Sequence, residues 1–310
     1  MAKLDRLGWV VTDWFVIEDY RFGIRTTSHA FAAWLRHALA DYWVGSGDDD
    51  EVDPVYSVVV EDGTDPTGRQ GTKKFHIIYY GTWDIVRTLD VRALAESLLH
   101  EIDSFTYPMR DDAVYVEASI VRGNGKTLLI PAFLVPSIAA AGRRLTSKLD
   151  LTLPGLMSVA LDPQTGNLIP PAPYLRFAPD RWDRLRELLP LPAGPSDSRA
   201  LVTEVTPIDR VITRRLAPHP VLQRIPKGSV LFDFAEMIRN PAMIGSRGLV
   251  TLGKAFERAE VFELQYFTTQ QLTDAMAAAI GDGYYVADRT QVTPHTPSPA
   301  HGSSLESTID

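Results

Sequence analysis

The stretch Thr127-Leu-Leu-Ile-Pro-Ala-Phe-Leu-Val-Pro-Ser-Ile-Ala-Ala-Ala-Gly-Arg-Arg-Leu145 constrains the fold of this chain more than any other. Thr127 to Ile130 is a short apolar run after a Gly-Asn-Gly turn and reads as a buried strand. Ser137 to Leu149 is rich in Ala, Leu, Arg and Lys, which predicts a helix with Ser137 as its N-cap. Strand, tight loop and helix in that order is the geometry of a phosphate cradle. The loop chemistry does not suit that task. A cradle needs glycines so that backbone N–H groups can close on phosphate, a Lys to reach it, and a Ser or Thr for magnesium. Here the loop is Pro131-Ala-Phe-Leu-Val-Pro-Ser137, and the helix opens on Ile138-Ala139. The scaffold of a phosphate site is present without its working parts.

Composition narrows the possibilities. A chain of 310 residues, 45% of them apolar and 23% charged, suits one large globular unit or two small domains. The net charge of −8 and pI of about 5.4 argue against nucleic-acid binding through a generally basic surface. With no cysteine, disulfides, iron–sulfur ligation, thiolate zinc sites and Cys nucleophiles are excluded. The opening Met-Ala-Lys-Leu-Asp-Arg-Leu-Gly has no long apolar region of the secretory kind, and no apolar run is long enough for a span. The expectation is a soluble cytoplasmic protein that engages neither nucleic acid nor membrane.

Taken in order, the first third reads as strands around two helices. Gly8 to Ile17 and Tyr20 to Arg25 are β-rich, and a helix is expected from Thr26–Ser28 to about Trp43, with Phe31, Leu35, Leu39 and Tyr42 on one face. Gly45 to Asp53 is an acidic loop without the calcium-loop spacing of an EF-hand. Strands follow at Val55 to Val60, Lys74 to Gly81 and Trp83 to Arg87. Asp90 to Ile102 is an amphipathic helix closed by His100, Glu101 and Asp103; these three could bind metal, but a helix C-terminus beside solvated acids is the commoner case.

The second part begins with one alternating strand, Val114 to Val121, and an Asn-Gly hairpin turn at Arg122 to Lys126. After the central strand, loop and helix, a strand is expected over Gly155 to Leu161, a turn at Asp162 to Asn167, and an extended Pro-rich strand at Leu168 to Leu175. Asp180 to Leu189, Ser229 to Arg239, Arg247 to Ala259 and Thr269 to Ile280 read as helices. Pro207 to Thr213 and Glu260 to Phe267 read as strands, and Pro190 to Ser198 as a loop. Beyond Ala287 the Pro, Ser, Thr and His composition lacks apolar periodicity and is expected to be disordered.

This order of elements resembles the C-terminal domain of HPr kinase/phosphorylase. More closely it resembles the HPr-kinase-like proteins found beside peptide-modifying biosynthetic enzymes, which share a core with phosphoenolpyruvate carboxykinase. Val116-Glu-Ala-Ser-Ile-Val-Arg-Gly-Asn-Gly125 matches the family's strand and Gly-rich hairpin. Leu128-Leu-Ile-Pro131 leads into its loop, and Leu161-Asp-Pro-Gln-Thr-Gly-Asn-Leu-Ile-Pro-Pro-Ala-Pro173 matches its Leu-Asp-x-x-Thr-Gly and Pro-rich strand. The resemblance implies an α/β (α+β mixed-sheet) fold with that core over residues 106–286. A smaller N-terminal α/β region would span 1–105, and the tail 287–310.

The departures from the family pattern carry the functional expectation. The family His is Glu117 here, the Walker A glycines fall at Ala132, Val135 and Ser137, the Lys at Ile138 and the Ser/Thr at Ala139. The acidic pair that supplies base and metal ligand falls at Leu156-Met157. Phe133, Leu134 and Val135 make the old phosphate loop apolar. Phosphoryl transfer is nearly all positioning and charge neutralisation, so such a site is expected to have lost it. The resemblance therefore implies a pseudokinase with no cofactor and no metal. It would act as a binding, scaffolding or regulatory subunit, in a homo- or hetero-oligomer, for a biosynthetic enzyme or precursor peptide. Two alternatives stand beside it: an ATP-dependent kinase with a rearranged nucleotide site, and a small-molecule sensor using the former phosphate pocket. Other constellations are weaker. Gly125-Lys126-Thr127 lies in the hairpin rather than after the strand. Gly-x-Ser-x-Gly and His-x-x-x-His are absent. Arg143-Arg144 reads as a solvated helix face, and Glu117 with Arg122 as a structural ion pair.

Overall fold

The computed structural model describes residues 7–47, 56–61, 75–148, 151–155, 157–189, 199–200, 202–215, 221–265 and 268–281. It is a mixed α+β architecture with eight helices among the described residues. Strands β1 (Val11–Ile17) and β2 (Tyr20–Thr26) form a hairpin in register from Val11 opposite Thr26 to Ile17 opposite Tyr20. Helix α1 (His29–Ala38) starts at Ser28, whose side chain accepts from the Phe31 N–H. It does not reach Trp43 as the sequence predicts. Trp43 to Ser46 is instead strand β3, paired with β1. The cause lies at Asp13, which is 1% exposed: a buried carboxylate needs donors, and Arg36, the Trp43 indole and the Ser46 hydroxyl all bond to it.

Strands β4 (Tyr56–Val59), β5 (His76–Tyr80) and β6 (Trp83–Thr88) complete a six-stranded sheet, ordered β3-β1-β2-β4-β5-β6. Helix α2 (Val91–Asp103) is capped by Asp90 and runs into a 3-10 turn, Ser104–Met109. Phe15, Phe22, Trp34, Leu35, Ile78, Leu94 and Leu98 form the core of this unit.

The expected strand Val114 to Val121 is broken. Residues Val114–Val116 form β7, Ala118–Gly123 form β8, and the two join different sheets with Glu117 at the break. The hairpin turn is as the sequence predicts: Asn124 and Gly125 both take positive φ, 50° and 70°, as a two-residue turn of this kind requires. Strand β9 (Lys126–Pro131) follows, then a 3-10 turn, Ala132–Leu134, and α3 (Val135–Lys148). The helix thus begins at Val135, and Ser137 lies inside its first turn rather than capping it. Pro136 suits the first turn, where its missing N–H costs nothing.

Next come β10 (Leu151–Pro154), which the sequence reading missed, β11 (Val159–Leu161), β12 (Leu168–Ile169), α4 (Arg181–Leu188) and β13 (Arg199–Ala200). The expected strand over Gly155 to Leu161 is regular only from Val159. The chain closes with β14 (Arg210–Arg215), β15 (Val221–Arg224), α5 (Gly228–Glu236), α6 (Pro241–Ile244), α7 (Arg247–Arg258), β16 (Glu260–Gln265) and α8 (Thr269–Ile280). Thr268 and Gln271 form a capping box at the start of α8.

A seven-stranded mixed sheet, β13-β10-β8-β9-β14-β16-β15, is the centre of this second unit, with β9, β14 and β16 parallel. Its strands alternate between two cores, as a period of two requires. Ile120, Leu129, Val211 and Val261 face α5 and α7, whereas Val121, Leu128, Ile130, Ile212 and Phe262 face α3 and α8. Burial on both faces explains why β9 reads as a continuous apolar run. Strands β12, β11 and β7 make a third, antiparallel sheet. Leu175, Leu185 and Leu189 pack into the core of the first unit, and Trp34 donates to the Arg181 carbonyl at 2.9 Å, so the α4 segment sits with the N-terminal sheet. The Pro190–Ser198 loop and the tail beyond Ala287 lie outside the described residues. Among the described residues no helix is long and apolar enough to cross a membrane.

Candidate functional site

The loop after β9 is filled by its own side chains. Leu134, Val135 and Ile138 are all but fully buried and belong to the core built on Leu128, Ile130, Leu145, Ile212 and Phe262. Ala132 and Ala139 are also buried, Ser137 is half-buried, and Phe133 alone of the loop's large residues points outward, 44% exposed. Phe133 therefore does not join Leu134 as a buried plug. Of Arg143 and Arg144 only the helical backbone is described.

Beside this loop lies a cleft of about 130 Å3, lined by Tyr56, Tyr80, Glu101, Ser104, Phe105, Glu117, Met157, Ser158 and Arg239. Two of the positions singled out in the sequence, Glu117 and Met157, meet here. Leu156 lies outside the described residues. The Glu117 carbonyl accepts from the Ala132 N–H at 3.2 Å, which ties the broken strand to the start of the loop. Glu117 itself is exposed, at the cleft's lip, and no ion pair joins it to Arg122. Glu117 lies just before β8 and Arg122 near its far end, too far apart along an extended strand to touch.

Glu101, only 3% exposed, is the side chain that the sequence reading misjudged. Its α2 neighbours show why it is inside: Leu94, Leu98 and Glu101 stand at i, i+4 and i+7, on one helical stripe. The carboxylate accepts from the Met157 N–H at 2.5 Å and, more loosely, from the Tyr56 hydroxyl at 3.5 Å. Burial pushes its pKa up to about 7; the Met157 N–H, Arg239 and Tyr56 pull it down without cancelling that effect, and Glu117 adds to it. Tyr56 is raised well above the ordinary tyrosine value by burial and by the Glu101 charge, and Tyr80 is raised for the same first reason.

His100, Glu101 and Asp103 do not converge. The His100 ring reaches the Ser158 carbonyl at 3.1 Å, and burial lowers its pKa to about 4, so it is neutral at physiological pH. Asp103, also buried, accepts from the Tyr174 and Leu175 N–H groups, both at 2.9 Å, and anchors the Pro-rich segment. These acids are enclosed, not solvated as the sequence reading had them. No group of three or more metal-ligating side chains forms among the described residues.

Arg239 supplies the positive charge. The expected helix Ser229 to Arg239 stops at Glu236, and after a turn at Met237 the chain bridges to β7 through Ile238: Glu117 N–H bonds to Met237 O and Arg239 N–H to Tyr115 O, both at 2.8 Å. Fully buried Asn240 fixes that path. It accepts from the Tyr115 N–H and donates to the Arg110 and Ala113 carbonyls. Arg239 Nη1 donates to the Ser104 and Ser158 hydroxyls at 3.1 and 3.0 Å. Nothing in the sequence near Arg239 marks it; only the pairing of 237–239 with β7 brings it to Glu101 and Glu117.

The Asp162 to Asn167 turn is structural. Asp162 accepts from the Gln164 N–H and the Thr165 hydroxyl, and Gly166 takes φ 73° against the backbone of α7. No protein-family model matches this chain, and no curated protein matches it.

Proposed function

We propose that this chain is a catalytically degenerate HPr-kinase-like protein that works by binding, as a regulatory or scaffolding subunit of a biosynthetic enzyme or its peptide substrate. One observation carries the reading: Leu134, Val135 and Ile138 are packed into the core where a nucleotide loop keeps open backbone and a Lys. A phosphate there would have to displace apolar side chains and would meet no Lys in the loop itself, against the electrostatic demand of phosphoryl transfer. The meeting of Glu117 and Met157 on one cleft supports the resemblance, because the family's His and acidic pair occupy those positions. The turn at Asp162 to Gly166 supports it as well. In this reading the cleft is retained for ligand and the loop for structure. The step from fold to partner is analogy.

The rival reading, an enzyme with a rearranged site, is favoured by one specific feature. Glu101 brings a carboxyl from α2 onto the Met157 N–H, and its pKa near 7 suits a general base. Turnover of labelled ATP with magnesium, offered serine- and threonine-containing peptides, separates the two. The proposal expects no labelled product above a no-protein control. Product that disappears in Glu101→Gln would establish the rival.

A further inference from the structure

We propose that the cleft between α2, the β7–β8 break and Arg239 binds a small zwitterion, with its carboxylate on Arg239 and its ammonium between Glu117 and the tyrosine rings. The inference rests on the reading of the chain as a binding protein, but not on the loss of nucleotide binding. Arg239 is held by two serines through one nitrogen only. Its Nε and Nη2 have no protein acceptor among the described residues, so the guanidinium retains an edge able to take a carboxylate through two parallel bonds. A simple anion is a poor occupant, because Glu101 and Glu117 stand beside the same guanidinium and would repel it. A ligand that carries its own cation turns that repulsion into attraction.

The aromatic lining of the cleft suits such a cation. Tyr56 and Tyr80 have ring centroids 5.5 Å apart, and Tyr56 and Phe105 6.2 Å apart. Aromatic faces beside a carboxylate are the setting in which an ammonium group is held by cation–π attraction and charge together. The Glu101 carboxyl adds negative charge when ionised, and its neutral form still offers hydrogen bonds. The volume of about 130 Å3 is close to that of a cavity that benzene fills, about 150 Å3, so a small amino acid or one of its homologues matches the cleft in size.

The test is calorimetric titration of the full chain with glycine, β-alanine and 4-aminobutanoate, three zwitterions of increasing charge separation, against acetate and methylammonium. The inference expects at least one zwitterion to bind about tenfold or more tighter than either single-charge control, the additive outcome of two charge contacts. Arg239→Gln should weaken that zwitterion by about 10- to 100-fold, the loss of a charge-assisted bond. Tyr80→Ala changes a side chain that is 44% exposed; with an unchanged circular dichroism spectrum confirming the fold, it should weaken the zwitterion several-fold while leaving acetate unaffected. Binding of none of the three zwitterions would overturn the inference. So would acetate or methylammonium binding as tightly, or a zwitterion affinity untouched by Tyr80→Ala. ATP binding alongside a zwitterion would overturn the pseudokinase reading and leave this inference standing.

Discussion

Replacing Leu134 by Ala tests whether the loop after β9 is a plug. Leu134 is fully buried, and its neighbours Ile130, Ile138, Ile212 and Phe262 come from four different elements of one core. Rigid strands on one side and α3 on the other leave little room for collapse. The cost should therefore lie in the range measured for buried Leu to Ala changes, about 2.7–5.0 kcal/mol, transfer and residual cavity together. At about 2–4 °C per kcal/mol for a large domain, that is a drop of roughly 5–20 °C in Tm. Phe133→Ala, one residue earlier and 44% exposed, should cost roughly half the value of a fully buried side chain, about 1–1.5 kcal/mol, because only part of the ring is removed from water. Thermal unfolding followed by near-UV circular dichroism reads both. The order is the test: if Phe133→Ala destabilises as much as Leu134→Ala, or Leu134→Ala is neutral, the loop is not the apolar plug described. A Phe133→Ala change that costs far less than Leu134→Ala and weakens association with a captured partner would place Phe133 in an interface.

Three further outcomes follow from the same structure. Glu101 is held near pH 7 against an ordinary 4.5, so the folded chain binds the proton more tightly than the unfolded chain; relative to Glu101→Gln, the wild type should lose roughly 3 kcal/mol between pH 4.5 and 7 and be level outside that window. His100, lowered to about 4 from 6.5, has the opposite slope, with stability rising from pH 4 to 6.5, so denaturant midpoints of the pair of proteins must be subtracted to isolate Glu101. Asn240→Ala leaves one buried N–H and two buried carbonyls without their partner and should cost on the order of 3 kcal/mol or more in urea unfolding. Gly166→Ala forces a side chain into positive φ and against the Ala255 backbone; a loss of a few kcal/mol is expected, and a neutral result would mean the turn sits differently on α7.

Much of the second unit was legible because its strands obey simple periods. Leu128 to Ile130 is apolar throughout since both faces of its sheet are covered, and the Asn124-Gly125 turn admits few conformations. What escaped was decided by contacts distant in sequence. Trp43 leaves the helix because Asp13, thirty residues earlier, needs a donor. The strand at Glu117 breaks where Met237 offers a backbone partner, and β10 and β15 are defined by the strands they join. The cleft was half visible. Glu117 and Met157 were found through the resemblance, and Glu101 could have been found from its place on the Leu94–Leu98 stripe, where a carboxylate must be buried. Arg239 carried no local signal, because a helical period running through Met237 masked the bridge to β7 that delivers it.

In the proposed reading, Leu134, Val135 and Ile138 close the loop after β9 to nucleotide. Its most direct test is calorimetric titration of the full chain with ATP and with GTP in the presence of magnesium. No saturable heat is expected up to millimolar nucleotide, since binding weaker than about 1 mM corresponds to less than about 4 kcal/mol of affinity. A dissociation constant in the low micromolar range, worth about 8 kcal/mol, would require an open phosphate site and would contradict it.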